Sequence, residues 1–178
     1  MQQHIITFEG LVFRPFEDRD AASFVVAARE SVASLNPWMP WCHDAFSKDE
    51  ALAWFQACRE AVQAGSAHEF GIFHADTAEL LGGAGLNGIV HHNLYCNLGY
   101  WVRTSAQRRG VALRSVQALS RYAFEILGLQ RVEIVAAQGN VASEGVAIKA
   151  GAQLECLARN RLHLHGRSVP ASVFSLVP

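Results

Sequence analysis

The amino-acid sequence predicts an α/β fold: one domain over residues 1–178, built on a mixed and mostly antiparallel sheet of seven strands. Apolar residues repeat with strand and helix periods in the order β-α-α-β-β-β-α-β-α-β-β. A long helical stretch between strands at 97–102 and 131–136 is a crossover, so the sheet is parallel there and antiparallel elsewhere. A length of 178 residues, with 51% hydrophobic and 17% charged, suits a single core and excludes a disordered or fibrous chain.

The elements follow in order. Residues 11–16 alternate as a strand that stops at Pro15, after which Asp18 caps a periodic helix reaching about residue 34. Ser47-Lys-Asp-Glu50 is a capping box opening a second helix that Gly65 ends. Segments 70–73, 80–86 and 97–102 form a strand meander, with Ala75-Asp76-Thr77 as a turn. From Val111, apolar Ala112, Val116, Leu119, Ala123 and Ile126 step by four and three along one helix face, and Gly128 closes the helix. Residues 131–136 read as a strand, 142–150 as a short helix, and the rest as two strands meeting at His165-Gly166-Arg167.

Composition narrows the function. A net charge of -1 gives no global field toward nucleic acid or an anionic membrane, so any basic site is local. The opening MQQHIITFEG lacks the pattern of a secretory signal, and no apolar run approaches the ~20 residues a membrane helix needs, which makes the cytoplasm the expected location. Cys42, Cys58, Cys96 and Cys156 lie far apart and read as buried thiols. His163 and His165 share a strand face with no supporting ligand at a suitable interval, so no metal is expected.

Charge is distributed unevenly. No Asp or Glu falls between Leu80 and Phe124, whereas Arg103, Arg108, Arg109 and Arg114 crowd a loop and the first turn of the long helix. Free amides and the helix dipole favour an anion there, and Gly110 lets a phosphate approach the amides of Arg109, Gly110, Val111 and Ala112. The same residues also fit an ordinary loop glycine beside a solvated basic face. No P-loop motif is present, and Gly83-Ala-Gly-Leu-Asn-Gly88 is followed by strand-like sequence instead of a helix, which argues against a dinucleotide site.

Gly99-Tyr-Trp-Val102 followed by Gln107-Arg-Arg-Gly-Val-Ala112 resembles the acetyl-CoA signature of the GNAT N-acetyltransferases. Tyr122-Ala-Phe124, Leu127-Gly-Leu129, Arg131-Val-Glu133, Asn140-Val-Ala-Ser143, Lys149-Ala-Gly151 and Leu154-Glu155 continue the likeness in the order typical of the RimJ/RimL branch. Phe13-Arg-Pro15 and the Trp-rich loop Asn36-Pro-Trp-Met-Pro-Trp41 extend it toward the N-terminus. The resemblance implies a sheet splayed at its centre with helices on both faces, and acetyl transfer from acetyl-CoA to a protein N-terminus or a small amine. A homodimer is a family-level expectation.

It also implies roles. Trp101, Val102 and Arg103 would hold the pantetheine arm, Gln107, Arg108, Arg109, Gly110, Val111 and Ala112 the diphosphate, and Lys149 a further part of the cofactor, while Asn140 would orient the pantetheine amide or, as a catalytic residue, the departing sulfur. Ser143 would protonate the leaving thiolate, Glu155 would act as base, and Trp38 and Trp41 would line the acceptor side, whereas Trp54 fits core packing better. Capping or surface roles remain open for Asn140, Ser143 and Glu155. His68, His91, His92, His163 and His165 are further candidate bases. Cys156 replaces a usual glycine, and Pro170 stands where relatives carry an acidic residue, so the acceptor is the least constrained part. The rival reading is a non-catalytic acyl-CoA-binding module. RNA binding is disfavoured because the arginines gather at one helix start instead of spreading over a broad aromatic face.

Overall fold

The computed structural model describes residues 4–178; residues 1–3 of the span read as one domain lie outside the described residues. Strands β1 (Ile6–Phe8), β2 (Leu11–Arg14), β3 (His68–His74), β4 (Leu80–Val90), β5 (Tyr95–Val102), β6 (Arg131–Ala137), β7 (Gln153–Leu164) and β8 (Arg167–Leu176) form one sheet. Their order across it is β1-β2-β3-β4-β5-β6-β8-β7. Helices α1 (Ala21–Glu30), α2 (Val32–Leu35), α3 (Lys48–Gln63), α4 (Val111–Glu125) and α5 (Val141–Lys149) join them.

The sheet has eight strands, not seven. The extra one, β1, pairs with β2 through a two-residue turn in which Glu9 and Gly10 both have positive φ, 43° and 78°. That is the twist a tight hairpin requires, but Glu-Gly is a weaker turn signal than Asn-Gly or Asp-Gly. The first helix also differs from expectation: Glu17 and Asp20 form a capping box around a 3-10 turn (Asp18–Asp20), and the helix breaks at Ser31.

Each face of the sheet buries its own apolar cluster. Strand alternation sends Phe70, Ile72, Leu98 and Val102 to one face, against Val116, Leu119 and Ala123 of α4. Phe73, Leu80 and Trp101 go to the other, against Phe24 and Ala28 of α1 and Phe55 of α3. Of the four cysteines expected to be buried, Cys42, Cys58 and Cys96 are; Cys156 is exposed because it sits on the edge strand β7. Burial pushes the Cys58 and Cys96 thiols up to about 12, which leaves them unreactive. Among the described residues, no helix is long and apolar enough to cross a membrane, and no cluster of three or more His, Cys, Asp or Glu could hold a metal.

The feature that positions the site is a parting of strands. β5 and β6 run parallel and stay in register only from Tyr95↔Arg131 to Asn97↔Glu133. Beyond that point β5 continues with β4 and β6 continues with β8, so a wedge opens between them.

Candidate active site

Two cavities meet at the wedge, and both are lined by Met39, Tyr100 and Trp101. The first, about 510 Å³, runs from β5 to the start of α4 and across to α5. It gathers most of the residues expected to bind the cofactor: Trp101, Val102, Gln107, Arg108, Gly110, Val111, Ala112, Asn140 and Lys149, together with Ser143.

The loop before α4 is built for close approach to its amides. Gly110 is the N-cap, at φ 75° and ψ 6°, and no side chain caps the helix, so the first-turn N–H groups keep their capacity for an incoming anion. Gln107 braces this loop, donating from Nε2 to the Val102 carbonyl at 3.1 Å and to Ser34 Oγ at 3.2 Å.

Three of the four arginine side chains are not part of this cradle. Arg103, expected on the pantetheine arm, turns away to pair with Glu30 and Glu79, and its backbone N–H bonds the Leu81 carbonyl at 2.9 Å. The guanidinium holds the Glu30 carboxyl down at about 2. Arg114 folds back onto the carbonyls of Glu9, Arg109 and Gly110, fastening the loop to the β1–β2 turn. Arg109 likewise contributes its carbonyl to that fastening and does not line the cavity.

Because the Arg103 N–H faces β4, strand alternation points the N–H groups of Tyr100 and Val102 into the wedge. These, and not those of Trp101 and Arg103, are the backbone donors on offer to a group lying there. On the opposite wall, Asn140 caps α5, its Oδ1 accepting from the Ser143 N–H at 3.2 Å. The Ser143 hydroxyl lies 3.0 Å from the Tyr100 hydroxyl. Burial raises the Tyr100 phenol, so at neutral pH it can donate. The Gly99-Tyr-Trp motif marked this strand, but only the fold brings Tyr100 to Ser143.

The second cavity, about 620 Å³, lies on the other side of Tyr100 and Trp101. Aromatic rings wall it: Phe24 and Trp41 each pack edge-to-face with Trp101, at 5.2 Å and 5.5 Å. Trp54, read from sequence as core, lines this cavity and is 43% exposed. Trp41 lines it as expected, but Trp38 lines the first cavity instead, because the chain turns between them. His43 and Glu50 line it as well, with His43 Nε2 3.0 Å from Glu50 Oε1.

A carboxylate that sequence reading missed also lines this cavity. Glu69 on β3 accepts from Asn87 Nδ2 at 3.2 Å, and Asn87 Oδ1 accepts from Asn97 Nδ2 at 2.9 Å. Burial raises the Glu69 carboxyl. The glycines of the 83–88 stretch explain themselves here: a Cβ on Gly83 would come within 2.6 Å of Trp101 Nε1, and one on Gly85 would collide with the Glu69 carboxylate. No local signal marked Glu69, since its role depends on pairing with Gly85 of the next strand.

Glu155, expected as the base, is elsewhere. It forms a two-pronged pair with Arg131 and accepts from Ser175 Oγ at 2.7 Å, which holds its carboxyl at about 2. Arg131 begins β6, a strand of 7 residues, and Asn140 follows that strand's far end; the distance along it is roughly 20 Å. A carboxylate so stabilised in its charged form and so placed does not serve the wedge. His68 is buried against Tyr122, His91 bonds the Gly65 carbonyl and His165 the Asn36 carbonyl, and none of the five histidines named as candidate bases lines either cavity.

Residues 10–153 match the family profile described as "Acetyltransferase (GNAT) domain". The [Ribosomal protein uS5]-alanine N-acetyltransferase of Escherichia coli is 27% identical over 170 residues, covering 91% of this chain and 84% of that protein. A solved Vibrio cholerae structure, assigned as a ribosomal-protein-serine acetyltransferase, is 34% identical with a TM-score of 0.88 and 98% coverage of both chains. The fold recurs in a ribosomal L7/L12 N-acetyltransferase solved with coenzyme A, 24% identical with a TM-score of 0.85 and 98% coverage of both chains. With that profile covering most of its length, the chain belongs to the GNAT acetyltransferase family.

Proposed function

We propose that this acetyltransferase passes the acetyl group of acetyl-CoA directly to a primary amine, a protein α-amine or a small-molecule amine, with both substrates bound at once. The observation that carries the reading is the meeting of two cavities at Tyr100 and Trp101, where β5 and β6 part. One cavity has the uncapped helix start that suits a diphosphate; the other opens on the same strand from the opposite side.

In this reading the first-turn amides of α4 and Gly110 hold the diphosphate. The N–H of Tyr100 or Val102 polarises the thioester carbonyl as negative charge develops on its oxygen, an effect worth ~10²–10³ in rate per donor. The Tyr100–Ser143 hydroxyl pair passes a proton to the departing thiolate, and Asn140 keeps Ser143 in place. A coenzyme A thiol leaves readily, so this proton adds less than the backbone donor does.

Thiol release from acetyl-CoA in the presence of a panel of amines and short peptides tests the reading. Amine-dependent release supports it. Tight coenzyme A binding with no release from any acceptor favours the acyl-CoA-binding module instead.

A further inference from the structure

We propose that the acceptor is a primary amine carried on an aromatic or branched apolar body, seated among Phe24, Trp41, Phe46, Trp54 and Trp101, and that Glu69 receives its ammonium and takes its proton before attack. This deepens the acetyl-transfer reading above and rests on it.

The cavity's size and walls argue for the body. At about 620 Å³ it is in the range of a small-molecule site. A polar side chain or a peptide group entering it would lose water and meet mostly aromatic carbon, whereas each apolar methylene buried there raises affinity roughly fourfold. Ring faces also attract a cation.

Glu69 is held for the head group. Its backbone pairs with Gly85, whose missing side chain makes room for the carboxylate. Asn97 occupies the Asn87 oxygen, which leaves the Asn87 NH₂ directed at Glu69. Asn97 is also the last β5 residue paired with β6, so this relay is anchored where the strands part.

The local medium favours the proton transfer. Burial raises the Glu69 carboxyl, opposed in part by the Asn87 bond, and the same burial lowers an ammonium brought beside it. Both shifts move the proton from nitrogen to carboxylate. The other titratable groups facing this region are Cys58 of α3, a thiol held neutral by burial and by Glu69 itself, and Tyr100, His43 and Glu50 in the cavity wall.

The step balances. One proton passes from the ammonium to Glu69 and on to water. The freed lone pair forms the N–C bond and the C–S bond breaks. The second nitrogen proton replaces the one that the Tyr100–Ser143 hydroxyls pass to the thiolate, so coenzyme A leaves as the free thiol and the product is an acetamide.

The test compares kcat/KM of the full chain for 2-phenylethylamine and tryptamine with ethanolamine and with peptides beginning in Ser or Ala. The apolar amines should lead by at least about 100-fold. Turnover of ethanolamine or the peptides at equal or greater kcat/KM overturns the proposal and leaves acetyl transfer standing, whereas no turnover with any acceptor overturns both. Glu69→Gln should lower kcat about 100-fold and abolish the acid limb of the pH profile with acetyl-CoA affinity unchanged; a kcat within twofold of the parent overturns the role of Glu69. Trp54→Ala, at a partly exposed position, should reduce the apolar preference to below about 10-fold; an unchanged preference overturns the proposed seat.

Discussion

Replacing Gly110 with Glu tests the diphosphate cradle, and the structure sets the expected size of the effect. A Cβ at this position meets nothing closer than Arg114 Nε at 3.9 Å, so space is not the obstacle. The φ of 75° strains any other residue by roughly 1–2 kcal/mol, and a carboxylate at a helix start returns ~0.3–1 kcal/mol, so the fold should survive. Affinity should not. A carboxylate about 5 Å from two phosphate charges, in a medium of effective dielectric about 40, repels them by ~3 kcal/mol in all, or about 100-fold in Kd. Gly110→Ala carries the strain without the charge and should lose less than about 10-fold. Calorimetric titration with coenzyme A, alongside thermal unfolding, separates the two. Equal losses in both variants, or none in either, would refute the argument from the uncapped amides.

Further expectations concern residues whose partners the fold reveals. Glu155→Gln should leave kcat within about twofold, because this carboxylate serves Arg131 and Ser175; a 100-fold loss in steady-state assays would return it to the chemistry. Glu30 is held at about 2, well below its ordinary 4.5, so its contribution to stability is full above 4.5 and is lost as pH falls from there toward 2. Thermal unfolding between pH 6 and 2.5 should therefore fall less steeply for Arg103→Ala than for the parent, and parallel curves would contradict the pairing. Tyr100→Phe removes one hydroxyl of the pair with Ser143 and should lower kcat about 10-fold at unchanged acetyl-CoA affinity; an unaltered kcat in the same assay would exclude that pair from proton delivery.

What could be read along the chain was whatever depends on neighbours in sequence. The Ser47–Glu50 capping box and the periodic face of α4 are local, and the α4 start was legible from Gly110 beside a stretch free of acid. What depends on strand pairing was not legible. Glu69 becomes a cavity residue only because Gly85 lies opposite it, and Glu155 is disarmed only because β6 carries Arg131 to its side. Arginine direction was equally hidden: Arg108 lines the cleft, while Arg103 and Arg114 are drawn off by Glu30, Glu79 and backbone carbonyls far away in sequence. Trp54 lies on the face of α3 that turns to the cavity, which helix periodicity alone did not distinguish from the core.

Direct transfer between two substrates held at Tyr100 and Trp101 is the central claim, and initial velocities with acetyl-CoA and an accepted amine both varied test it most directly. The account predicts intersecting double-reciprocal lines, one thiol released per acetamide formed, and an intact protein mass that acetyl-CoA alone does not change. Parallel lines with an acetylated protein intermediate would contradict it.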